Sequence, residues 1–182
     1  MLSQKSFFFN VFLKKFKDNI EEIEYGYPED STCFILFKKE YPIENLVLEH
    51  FKKITFLGIA GSFQTYTKIF GNSRKSLPYR FEMIRKNILK PQVFQKLSNK
   101  LMLLNERDTK FDNSYIVFTN DTELTKKVFH DEVFISRIKK SGLLQRFKFD
   151  GMFKPQFLIF TDDSPVSAIF SFLAMKRLAE II

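Results

Sequence analysis

Few residues in this chain have types and spacings that could do chemistry, and those few are scattered. Neither histidine, His50 or His130, has another His or Cys at the spacing a zinc site needs. His50 falls in an apolar pattern of helical spacing and His130 precedes Asp131-Glu132 in a polar turn, so both read as structural or merely exposed. The one cysteine, Cys33, lies in the strand-like run Thr32-Cys33-Phe34-Ile35-Leu36-Phe37, which describes a buried, inert thiol and excludes an internal disulfide. Asp162-Asp163 is a carboxylate pair such as general acid–base chemistry uses. It stands just before Ser164-Pro165, however, where acids favour the positive end of a helix. Gly58, Gly61 and Gly71 match neither a P-loop nor a dinucleotide fingerprint. These readings assign no catalytic residue, no metal and no cofactor. The chain is expected to be a binding protein, with an enzyme of dispersed site ranked behind two binding readings.

Charge is the more informative chemistry. Of 182 residues with net charge +8, residues 52–100 hold eight Lys and three Arg against Glu82 alone, whereas residues 1–51 carry net −3 and residues 101–182 net +1. A block so one-sided repels itself unless an anion meets it, and a phosphate backbone is the usual one. A solvated basic face, or one set against anionic lipid, is the competing account. The composition, with 24 Phe and 22 Lys against seven Arg and four Ala, points to an A/T-rich genome such as that of an organelle or an intracellular bacterium. No stretch has the roughly 18 uninterrupted apolar residues of a membrane span.

The elements that must position these groups alternate. Met1–Lys17, free of acids, reads as an amphipathic helix packing on the body in preference to a targeting presequence, since it has no Arg. Strands are expected over Cys33–Lys38, Ile54–Ala60, Tyr79–Ile84 and Tyr115–Phe118. A hairpin around Asp150-Gly151 would join Phe147–Phe149 to Phe157–Phe160. Helices are expected over Ile43–Phe51, Phe63–Phe70, Gln92–Leu104, Glu123–Phe129, Val133–Lys140 and Val166–Ile182, the last opened by Ser164-Pro165. The class is α/β in the α+β sense: a mixed sheet with helices packed on it, an N-terminal amphipathic extension (1–50), an α/β RNA-binding domain (51–163) and an apolar C-terminal helix (164–182). That last helix has almost no polar face. Its Ile169, Phe172, Leu173 and Met175 are candidates for docking a partner, and burial in the chain's own core is the alternative.

From Ile54 to about Lys90 the chain resembles the stalk-base protein of the large ribosomal subunit, the family that anchors the acidic factor-recruiting stalk. That family runs strand, Gly, helix, strand, then a Val-Val-(Lys/Arg)-Asn-Thr-Leu-Leu signature. The corresponding stretches are Ile54–Ala60, Gly61, Phe63–Phe70, Tyr79–Met83 and Met83-Ile84-Arg85-Lys86-Asn87-Ile88-Leu89. Tyr115–Asp121 resembles its later strand and acidic turn, and Val128–Gly151 its closing helix and strands. Gly71 departs from the family, which favours a cation there, and residues 1–50 have no counterpart. The resemblance implies a non-enzymatic ribosomal RNA-binding protein of a mitochondrial ribosome, or one in a bacterial cytoplasm. Arg74, Lys75, Arg80, Arg85, Lys86, Asn87 and Lys90 would contact RNA, and the C-terminal helix would face neighbouring ribosomal and stalk proteins.

A second resemblance competes. Phe111–Asp121 with Phe149-Asp150-Gly151 is similar to an uncharacterised bacterial domain of membrane-attached proteins, which implies a protein-interaction module of a membrane-associated or multi-subunit complex.

Overall fold

The computed structural model describes residues 11, 14–15, 20–25, 33–37, 43–57, 60–73, 77–104, 114–142, 144–152, 156–161 and 164–182, with side chains placed mainly from Lys68 onward. Among the described residues nine strands form one sheet: β1 (Ile20–Tyr25), β2 (Cys33–Phe37), β3 (Ile43–Leu57), β4 (Ala60–Ser73), β5 (Arg80–Arg85), β6 (Met102–Leu103), β7 (Tyr115–Thr119), β8 (Arg146–Asp150) and β9 (Gln156–Thr161). Their order is β1-β2-β3-β4-β9-β8-β5-β7-β6. Every described pairing is antiparallel. Four helices are described in full: α1 (Pro91–Ser98), α2 (Thr122–His130), α3 (Glu132–Lys140) and α4 (Pro165–Ile181). The class is therefore α+β, and its sheet is antiparallel. No described helix is long and apolar enough to cross a membrane.

Local chemistry sets the helix ends. Asp121 accepts the Leu124 N–H and starts α2, while Asp131 accepts the Phe134 N–H and starts α3 directly after α2. Gly142, at φ 64°, ends α3 in the left-handed region that glycine tolerates. Ser164 caps α4 ahead of Pro165.

Alternation along the strands then builds the core. Phe81 and Met83 of β5, Phe147 and Phe149 of β8, and Phe157 and Ile159 of β9 are buried against Phe129, Phe134, Phe172 and Met175 of the helices. Their rings interlock, with Phe81–Phe147 at 5.4 Å and edge-on Phe129–Phe134 at 5.8 Å. The next residue along β7 from core Val117, Phe118, meets Phe94 of α1 edge-on at 5.5 Å, which puts α1 on the opposite sheet face.

Several expectations need correction. Ile43–Phe51 is not a helix but the first part of β3, so His50 is a strand residue. Phe63–Phe70 is likewise strand, inside β4. The strand expected over Ile54–Ala60 spans the end of β3 and the start of β4, which pair Leu57 with Ala60. The helix drawn to Leu104 stops at Ser98, and Met102-Leu103 joins the sheet edge. A boundary at residue 50 falls within β3. Residues 11, 14 and 15 are helical, and the rest of the 1–17 segment lies outside the described residues.

Candidate interaction surface

The fold splits the basic block. In antiparallel order, the C-terminal end of β5 lies at the same end of the sheet as the β3–β4 turn, because Ile84 is level with Arg146, Phe160 and Lys68. Past His50 and Thr67, the last residues paired to β2 and β9, β3 and β4 pair among the described residues with each other alone, which carries Lys52 and Lys53 to that end. Arg85, Lys86, Asn87 and Lys90 are brought together there. Backbone bonds from Arg85 N–H to Gln145 O (3.0 Å) and Lys86 N–H to Ser114 O (2.8 Å) fix the strand exit. Lys86–Ile88 forms one 3-10 turn, and the Lys90 carbonyl accepts the Val93 and Phe94 N–H groups to open α1.

Arg80 does not join them. It sits at the other end of β5, five residues or about 16 Å away, and its Nη2 donates to Asp150 Oδ2 at 2.6 Å. Burial alone would raise the Asp150 carboxyl, but the Arg80 donor and the Met152 N–H outweigh it, and the carboxyl titrates below its ordinary value. Arg74 and Lys75, like Asp162-Asp163, lie outside the described residues.

The C-terminal helix answers its own question. Phe172 and Met175 are buried in this chain's core, and Ile169 and Leu173 are packed partly against it. Phe172 and Met175 are therefore not free to dock: with Ser167, Ala168, Ser171, Ala174, Leu178 and Ala179 they form one buried stripe of α4, and Ile169 and Leu173 are half-buried beside it.

One group of residues escaped the sequence reading. Met102 is 51% and Leu103 53% exposed, and Ile88 and Phe94 are also exposed. All four lie on the segment from β5 to the β6 edge, which contains Arg85, Lys86, Lys90, Lys96 and Lys100 and no acid between Met83 and Leu104. Lys90, Lys96 and Lys100 are exposed. The missed signal was available: Met102 and Leu103 fall off the Val93-Leu97-Leu101-Leu104 stripe, of which only Leu104 is fully buried.

Ion pairs among the described residues include Arg146 with Glu82, Lys126 with Glu123, and Arg177 with Asp131 and Glu180. A shallow groove on α3, lined by His130, Glu132, Ser136, Lys139 and Lys140, mixes both signs. Among the described residues no cluster of His, Cys, Asp or Glu could hold a metal.

No family model and no curated protein matches the chain. Among solved structures it is similar to the mycobacterial trehalose monomycolate transport factor A, TtfA, with TM-score 0.53 and 7% sequence identity over 96% of this chain and 93% of that chain. At that identity the likeness is one of fold.

Proposed function

We propose that this chain is a non-enzymatic docking component of a membrane-associated or multi-subunit assembly, and that it engages the assembly through the acid-free edge from Arg85 to Leu103. The observation that carries this reading is the sequence of exposed Ile88, Phe94, Met102 and Leu103 among cations along one acid-free segment. That segment runs from the C-terminal end of β5 through α1 to the outer strand β6, where Met102 is level with Phe81. Apolar side chains kept in water next to lysines indicate a surface that is covered in use, since a merely solvated basic face gains nothing from them. Sedimentation of a lysate carrying the tagged full chain tests it. Migration with membranes or a discrete complex, lost in a Lys96→Glu/Lys100→Glu variant, is the expected outcome; a chain that stays monomeric at the top of the gradient sinks the reading.

A second reading is RNA binding within a ribosomal assembly, mitochondrial by the composition. It is favoured by Arg85, Lys86, Asn87 and Lys90 standing together at one strand exit. Lys and Arg would meet phosphates without reading sequence, and the Asn87 amide would both donate and accept at a ribose or base edge. Migration with large ribosomal particles, lost at high salt, would select this reading over the first.

A further inference from the structure

We infer that the edge from Ile88 to Leu103 seats on an anionic bilayer surface, its aliphatic side chains entering the headgroup layer while Lys90, Lys96 and Lys100 meet lipid phosphates. This rests on the reading of that edge as a docking surface and names what it docks on. Three observations favour lipid over the other polyanions and over protein.

The exposed apolar groups are Ile88, Met102 and Leu103, with Phe94, whose ring is already engaged edge-on with Phe118. Nucleic acid would reward stacking planes, aromatic rings and guanidinium groups, and gains little from aliphatic chains. A bilayer interface takes aliphatic groups directly.

The exposed cations are lysines. Lysine is depleted from the buried centre of protein–protein interfaces, where its strongly hydrated ammonium resists desolvation. At a membrane surface the ammonium stays wet among the headgroups while its stem lies along apolar surface, and each such charge strengthens binding roughly five-fold.

The third observation is the arrangement. Phe94 and Lys96 stand on α1, Lys100 between α1 and β6, and Met102-Leu103 on the last strand of the sheet. Sheet edges are usually guarded by charge or cover; here the two edge residues are apolar and half exposed, and the charges flank them. An acid within the segment would oppose an anionic surface, and the sequence from Met83 to Leu104 has none.

The test uses the full chain and vesicles of phosphatidylglycerol mixed with phosphatidylcholine, against phosphatidylcholine alone, at about 0.1 M salt. Binding to the anionic vesicles only, weakened at least about 25-fold by Lys96→Glu/Lys100→Glu (two charges at roughly five-fold each), is expected. Met102→Asp/Leu103→Asp should weaken it as well, at low salt too. Should that pair unfold the protein, the two exposed lysines carry the decision alone. Absence of binding to anionic vesicles overturns the inference, as does binding that the lysine pair does not change. Tight binding of a single-stranded RNA oligonucleotide in place of vesicles overturns it in favour of RNA, and a stable dimer burying this edge does so in favour of a second copy. If vesicles fail while the lysine variant still releases the protein from its cellular complex, the docking reading survives and the lipid assignment falls.

Discussion

Arg177 grips Asp131 with two hydrogen bonds, Nε to Oδ1 at 3.1 Å and Nη2 to Oδ2 at 2.7 Å, and so ties the last helix to the junction of the two before it. The same Oδ1 accepts the Phe134 N–H at 2.7 Å, so one carboxylate caps α3 and anchors α4. The Arg177 donors hold the Asp131 carboxyl below its ordinary range; partial burial opposes them and the Phe134 N–H assists. A depressed folded-state pKa means stability that is fully present above the unfolded value near 3.9 and is lost as pH falls through the folded one. Asp131→Asn keeps the cap and removes the charge. It should cost about 1 kcal/mol at neutral pH, a modest figure because both groups are partly solvated. Urea unfolding at pH 7 and pH 3 checks this: the gap between wild type and variant should shrink at pH 3, and an unchanged gap excludes the pair as its source.

The C-terminal helix is expected to behave as core. Phe172→Ala should destabilise by about 3–5 kcal/mol, whereas Val166→Ser, at an exposed position, should stay within about 0.5 kcal/mol. Truncation after Asp163 should leave an insoluble or unfolded chain, because the removed helix packs on α3, β4 and β9 and supplies Phe172, Met175 and Leu178 to the core cluster that holds Phe157 and Ile159. A truncated chain that stays folded by circular dichroism would return α4 to the list of docking surfaces.

Gly151 follows the β8 strand at a place where no side chain fits. A Cβ there would clash with the Leu77 carbonyl oxygen and come within 3.0 Å of the Tyr79 carbonyl oxygen. The close approach comes from two backbone bonds, Gly151 N–H to Tyr79 O at 2.9 Å and Leu77 N–H to Gly151 O at 3.2 Å. Gly151→Ala should cost about 1–3 kcal/mol as the two segments part. A melting temperature equal to wild type would show that the segment before β5 yields freely.

How far the fold was legible depended on how each residue pattern could be satisfied. The second half was readable: Phe147 and Phe149 alternate with Lys148 as an antiparallel strand requires, and Asp121 and Ser164 announce helix starts that their side chains do cap, whereas Asp131, read as part of a polar turn, also proves to be a cap. In the first half the strand at Cys33–Phe37 was readable too, but the long hairpin of β3 and β4 was not. Ile43, Leu46, Val47 and Phe51 recur at helical spacing by coincidence, while the β-branched and aromatic run Phe63, Thr65, Tyr66, Thr67 and Ile69 carried a strand preference that Gly61-Ser62, read as a helix start, obscured.

The basic block was visible as charge, but charge has no geometry. Only strand direction sends Arg80 to one end of β5 and Arg85 to the other, and only the early stop of α1 at Ser98 exposes Met102 and Leu103.

Glu82 is the one acid of that basic block, and it is almost fully buried on the sheet face opposite Phe81 and Met83. Its Oε1 lies within ion-pair distance of the Arg146 Nη2, yet neither Oε1 nor the Arg146 Nε is aligned in a hydrogen bond. A pair so placed is worth more for what its loss leaves behind than for its own attraction, since a lone buried carboxylate has no compensation. Arg146→Met should therefore destabilise by about 3 kcal/mol, at the low end for a buried pair because Arg146 keeps some contact with water. Glu82→Leu/Arg146→Met, which removes both charges, should recover most of that loss. Equilibrium unfolding of the two variants beside wild type measures it, and a double variant no more stable than Arg146→Met would show that packing by the Arg146 stem, not charge, holds this face of β5 and β8 together.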